Sequence, residues 1–163
     1  MPSLPRMLAA AVTLGTLLVT GCSTTVSMEP APAANAPECA DVTVRLPSEV
    51  AGQPRVWTNA QATASWGDPV AVVLACGVEP PAPTTLPCQT VGGVDWIIDD
   101  SEAPRYRLTT FGRTPAVELY LDNEIVSSLD VLDALSAAVA RLPQDGECTA
   151  PVDTTETPAP TEG

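Results

Sequence analysis

The five cysteines carry most of the reactive chemistry open to this chain. Cys22 closes the string Val19-Thr20-Gly21-Cys22, which has the order of a lipobox. In such a string the thiol takes a diacylglyceryl group through a thioether, and the small residue before it leaves the preceding bond open to a peptidase. Two fatty chains hold a protein stably on a bilayer, whereas one does so only marginally. The other four, Cys39, Cys76, Cys88 and Cys148, are an even number in a chain expected to be exported, which implies two disulfides among three possible pairings. Cys76 and Cys88 bracket a short segment containing Pro80, Pro81, Pro83 and Pro87, so they are expected to pair, with Cys39 joined to Cys148 at the two edges of the folded region. Zinc would be the competing use of four thiols. With no Cys-x-x-Cys spacing and no histidine, neither a metal nor a cofactor is expected.

Other catalytic sets are limited by what the chain lacks. Without histidine there is no Ser-His-Asp or Cys-His arrangement, and without lysine no lysine-assisted serine. Gly92-Gly93 is not followed by the helix and lysine that a phosphate-binding loop needs. Carboxylates remain: Asp95, Asp99, Asp100 and Glu102 cluster after a strand. Such a group could flank a sugar bond as in a glycosidase, or form no more than a solvated acidic turn. Its spacing does not match a calcium-binding loop of the EF-hand type. Asp68 before Pro69 reads as a turn former. Trp66, Asp95, Trp96 and Arg113 are the candidate binding surface, since tryptophans stack on sugars or peptides and arginine grips carboxylates. The plainer use of the same residues is two core tryptophans and an arginine paired with a neighbouring acid.

The elements that must position these groups follow from the hydropathy pattern. Residues 1–21 carry one basic residue, Arg6, and an apolar run from Leu8 to Val19 that is too short to span a bilayer, where about 20 residues are needed. This is a signal peptide pattern. Residues 22–38 read as the lipidated cysteine and a disordered Pro/Ala/Ser/Thr tether reaching at most about 50 Å in polyproline form. Residues 39–148 read as one domain, and residues 149–163 as a disordered acidic Pro/Thr tail. Twenty acids against seven arginines give a net charge of −13, and loss of Arg6 with a leader makes it one unit more negative. Such a surface repels nucleic acid and anionic headgroups, so nucleic acid is not an expected partner and any membrane contact should run through lipid on Cys22.

Within the domain, Val42, Val44 and Leu46 alternate as a first strand would, and Val70 to Ala75 is continuously apolar. Val94, Trp96 and Ile98 share a face, as do Tyr106, Leu108 and Thr110, then Val117, Leu119 and Leu121, with Gly112 to Pro115 as a hairpin turn. Leu129, Leu132, Leu135, Val139 and Leu142 recur at helical spacing. Ser127 and Asp130 resemble a capping box, with Asp133 also in the first turn and Arg141 in the last. The expected fold is α+β: a small, mainly antiparallel sheet with one C-terminal helix packed on a face and two disulfides.

Trp66-Gly67-Asp68-Pro69, the apolar run ending Cys76-Gly77-Val78, Val94-Asp95-Trp96 and Gly112-Arg113-x-Pro115 together resemble an actinobacterial lipoprotein family, the domain of unknown function 3515 family. The resemblance spans roughly residues 38 to 143. It implies a fold unit and an address on the outer face of the plasma membrane, and it implies no reaction. The leading expectation is a membrane-anchored, extracytoplasmic, non-catalytic module that binds an envelope protein or a wall or lipid component. A small envelope glycan hydrolase using the acidic cluster is the alternative. A solute receptor ranks last, because about 110 residues are too few for a two-lobed clamp.

Overall fold

The computed structural model describes residues 25–149. The expected leader through Gly21, the expected acylation site Cys22 and the expected tail beyond Thr149 lie outside the described residues. Helix α1 (Pro37–Thr43) comes first, then strands β1 (Glu49–Val50), β2 (Gln53–Val56), β3 (Thr63–Trp66), β4 (Val72–Val78), β5 (Cys88–Val91), β6 (Val94–Glu102), β7 (Arg105–Thr110) and β8 (Ala116–Asp122), and last helix α2 (Ser128–Val139). The strands form one eight-stranded sheet in the order β1-β2-β3-β4-β8-β7-β6-β5, with every pairing antiparallel. Helix α2 touches both outermost strands, β1 and β5, so the sheet curls around it, and α1 packs beside α2 against β4. This is the expected α+β class.

Alternation explains which side chains fill the concave face. Leu74 pairs with Leu119, Leu119 with Leu108, and Leu108 with Ile98; the three leucines are wholly buried. Trp96 lies on this face opposite Thr110, and neither is accessible. Each large aromatic removes 150–250 Å² from water, so Trp66 and Trp96 contribute heavily to a small core. The β5–β6 turn has two residues, Gly92 and Gly93, at φ of 58° and 77°, the positive angles that the commonest tight hairpin requires.

Helix α2 starts where its cap signal stands: Ser127 Oγ accepts from the Asp130 amide at 3.4 Å. Its other expected details change. The buried stripe is Val131, Leu132, Leu135, Ala138 and Val139, whereas Leu129 is 55% exposed. Asp130 alone provides acid in the first turn. The helix ends at Val139, so Arg141 lies past it and faces Asp41 of α1 at 3.6 Å. Leu142 is buried beyond the helix.

Three expectations are corrected at the N-terminal side and in the cross-links. The stretch holding Val42, Val44 and Leu46 is helical up to Thr43, with Pro37 in the first turn, where its missing N–H costs nothing. Cys39 and Val42, three apart, both face inward, while Val44 is 77% exposed. The expected tether is seated from Val26 onward. Val26 bridges Thr58, the Ala33 amide donates to Gly77 O at 2.9 Å, and Ala34 is buried. Gly77 has φ +101°, and a Cβ there would collide with the Ala33 backbone. The disulfides join Cys39 to Cys76 and Cys88 to Cys148, not Cys76 to Cys88 and Cys39 to Cys148. The reason is topological. The proline-rich segment carries the chain from central β4 to edge strand β5, four strand spacings or about 19 Å away. Cys76 faces the concave side with Val72 and Leu74, whereas Cys88 lies opposite Ile97 on the convex side.

Candidate functional site

The four residues expected to form a binding surface divide into two groups. Trp66 and Trp96 are wholly buried and present no surface. Trp66 Nε1 donates to Pro47 O at 3.2 Å, and the Arg55 guanidinium sits 5.9 Å from the Trp66 ring centroid. Asp95 and Arg113 are brought together, but as fasteners. Arg113 is 4% exposed, and its Nη1 donates to Leu142 O at 2.6 Å while Nη2 donates to Gly93 O at 3.1 Å. Burial pulls the Arg113 pKa down and the Asp95 charge pushes it back up. Asp95 accepts from Thr90 Oγ1 at 2.5 Å and from the Cys148 amide at 2.7 Å. Both residues therefore fix the segment after α2, which also pairs through Arg113 and Gln144 and through the Asp145 amide to Gly112 O. Among the buried side-chain polar atoms of the described residues, Arg113 Nε and Trp96 Nε1 have no hydrogen-bond partner.

The acidic cluster lies on the convex face next to basic groups. Asp99, Ser101, Glu102, Arg105 and Arg107 line a shallow hollow of about 250 Å³. Asp99 accepts from the Ser101 amide at 3.0 Å, and hydrogen bonds from Ser101, with the Arg107 charge, hold its carboxyl below the ordinary aspartate value. Glu102 accepts from Tyr120 Oη at 3.0 Å. A glycosidic general acid needs its pKa raised, and Asp99 is moved the other way. Asp95 is already committed to Thr90 and Cys148. Among the described residues no cluster of histidine, cysteine or carboxylates could hold a metal ion, and no helix is long and apolar enough to cross a membrane.

A larger hollow, of about 620 Å³, opens at the β5 edge on the convex face. Its floor is Ile97 and Phe111 beside the Cys88–Cys148 disulfide, and its wall is the run from Pro83 to Pro87. Leu86 projects there, 40% exposed. The Ile98 amide donates to Pro87 O at 2.9 Å, which extends the β5 pairing by one residue and holds the wall upright. Every lining residue is apolar, hydroxylic or a bridged cysteine. Sequence reasoning missed this hollow. Its signal in the sequence is the proline-rich run before Cys88, of which Pro83 and Pro87 line the hollow.

The geometry thus contains a hollow lined without charged side chains, an acidic cluster beside two arginines, and a buried Arg113 and Asp95 that fasten the segment after α2. The family described as protein of unknown function, DUF3515, matches residues 3–148. The chain belongs to this family. The match covers the whole DUF3515 fold as seen here, from the seated N-terminal segment through the second disulfide. No curated protein and no solved structure matches the chain.

Proposed function

We propose that this DUF3515 protein is a lipid-anchored module of the cell envelope, acylated on Cys22 and held on the extracytoplasmic face. There it binds an uncharged segment of an envelope protein or a wall component. The hollow beside the Cys88–Cys148 bridge carries this reading. It is larger than the hollow at the acidic cluster, and its lining offers apolar contact and hydroxyl groups without a titratable side chain. Such a lining suits holding a ligand better than moving a proton. Two disulfides support an oxidising compartment, and the lipobox string at Cys22 supports the anchor.

Two experiments test the reading. A photo-reactive residue at Thr85 should capture a specific adduct in living cells, and Leu86→Glu should abolish it without changing the yield from a control site at Asp133 on α2. Equal capture from both sites would remove the hollow as a binding site. A fatty-acid analogue should label the parent chain and leave Cys22→Ala unlabelled. Labelling that persists in that variant would remove the anchor.

A further inference from the structure

Trp57 differs from the other two tryptophans. Trp66 and Trp96 are wholly buried, whereas Trp57 is 77% exposed on the loop that leaves β2. That loop is also where the N-terminal segment is gripped. The Val26 amide donates to Trp57 O at 2.8 Å, and the Asn59 amide donates to Val26 O at 3.2 Å. The Met28 amide donates to Asn59 Oδ1 at 2.8 Å, and Asn59 Nδ2 donates to Ser27 Oγ at 3.3 Å. Cys22 lies four residues before Val26, a span of at most about 14 Å of fully extended chain. An acylated Cys22 therefore keeps Trp57 close to the headgroup layer, where tryptophan partitions by placing its ring at the water–hydrocarbon boundary.

The surroundings match that placement. In a chain of net charge −13, the stretch from Val56 to Trp66 contains no acid and no base. The far end of the same loop, Gln61 and Ala62, lines a small hollow with Val44, which is itself 77% exposed. Trp57 and the uncharged amides Asn59 and Gln61 thus share the loop that holds the N-terminal segment, with Arg55 beside Trp57 and Glu29 next to the gripped Met28, while exposed acids such as Asp100 and Asp133 lie on β6 and α2. The loop itself can meet the headgroup layer without desolvating a charge.

We propose that the domain docks on the bilayer that holds its own acyl chains, with Trp57 inserted at the headgroup boundary. The proposal rests on acylation of Cys22. The full chain, expressed with its leader in an acylating host, would be reconstituted into phosphatidylcholine vesicles whose acyl chains are brominated near the glycerol. Because Trp66 and Trp96 are sealed in the core, quenching by bromine reads Trp57. The expected result is co-flotation with the vesicles, loss of the Trp57 emission and a blue shift before quenching. Trp57→Ala, which leaves the core intact, should float equally and lose no emission. Flotation with unchanged emission and free access of acrylamide to Trp57 would overturn the docking alone, leaving this face to a protein partner. Failure to float, with Cys22 found unacylated by mass, would overturn the anchor and the docking with it.

Discussion

At the scale of single residues, Arg113 is where the sequence and the structure differ most instructively. An arginine beside Asp95 and two tryptophans carries the same signature whether the group faces a ligand or a core. The difference is set by residues near the end of the chain, Leu142 to Cys148, which fold back over it. No local pattern announces that return. Arg113→Ala would leave Leu142 O and Gly93 O without a donor, which costs about 3 kcal/mol in total at typical penalties for unsatisfied buried groups. The expected outcome is a lowered urea midpoint, with faster amide exchange from Gln144 to Cys148 than in the rest of the sheet. Arg113→Lys should recover only part, since an ammonium cannot span both carbonyls as the guanidinium fork does.

Carboxylates define the second residue-scale expectation. Asp41 is held below its ordinary value of 3.8 chiefly by its hydrogen bond from Arg45, and Asp99 below the same value by Ser101. A carboxylate whose folded pKa is depressed stabilises the fold above its unfolded pKa, and that stability is lost as pH falls through the folded value. With no histidine in the chain, stability should be nearly flat between about pH 5.5 and 8. It should then decline below pH 3.8. Urea midpoints measured across that range test this. Asp41→Asn should be less stable than the parent at neutral pH, and the two should converge below pH 3.8.

At the scale of elements, strands were easiest to read. Over Val94 to Ile98 of β6, Tyr106 to Leu108 of β7 and Val117 to Leu121 of β8 every second residue is apolar, because only one sheet face is covered by helices, so the pattern states both the element and its inward face. Helix α1 was not legible in that way. Over Val42 to Leu46 a period of two coincides with one helical turn, and the helix shows instead in Pro37 at its start and in Cys39 and Val42, three apart, facing inward. The cross-links differ from expectation for the same kind of reason: closeness along the chain is not closeness in space, and β4 and β5 lie four strand spacings apart. The two bridges should also differ in behaviour. Each closes a long loop, with sequence separations of 37 and 60, and on the chain-entropy model each is worth up to about 4 kcal/mol. Cys39 and Cys76 are wholly buried, while Cys88 and Cys148 are partly exposed. A mild reductant should therefore open Cys88–Cys148 first, because thiol exchange needs access to sulfur. Thiol trapping and peptide mass mapping would identify the first reduced pair; a first product carrying free Cys39 and Cys76 would contradict it.

At the scale of the whole molecule, composition foretold the charge, and alternation foretold a mainly antiparallel sheet with a terminal helix. The curl of that sheet around α2 was not foreseen, because it depends on both edge strands meeting one helix. Twenty acids against seven basic groups crowd like charges onto a small body. Folding brings them closer, so self-repulsion opposes the compact state and salt should relieve it. Raising ionic strength from about 0.01 to 0.15 M, which shortens the screening length from about 30 to 8 Å, should raise the thermal midpoint. Scanning calorimetry at fixed pH is the check, and a midpoint that falls with salt would mean that specific ion pairs such as Arg107–Glu118 dominate.

The grip on Val26 at the end of β2 and the fastening of Cys148 to β5 lie six strand spacings apart, about 30 Å along the curved sheet. A slack leash would let the recess wander through a wide volume. With the anchor proposed at Cys22, the curled sheet instead fixes the recess relative to the grip on Val26, so a ligand bound at the far edge would be held in a set orientation to the bilayer.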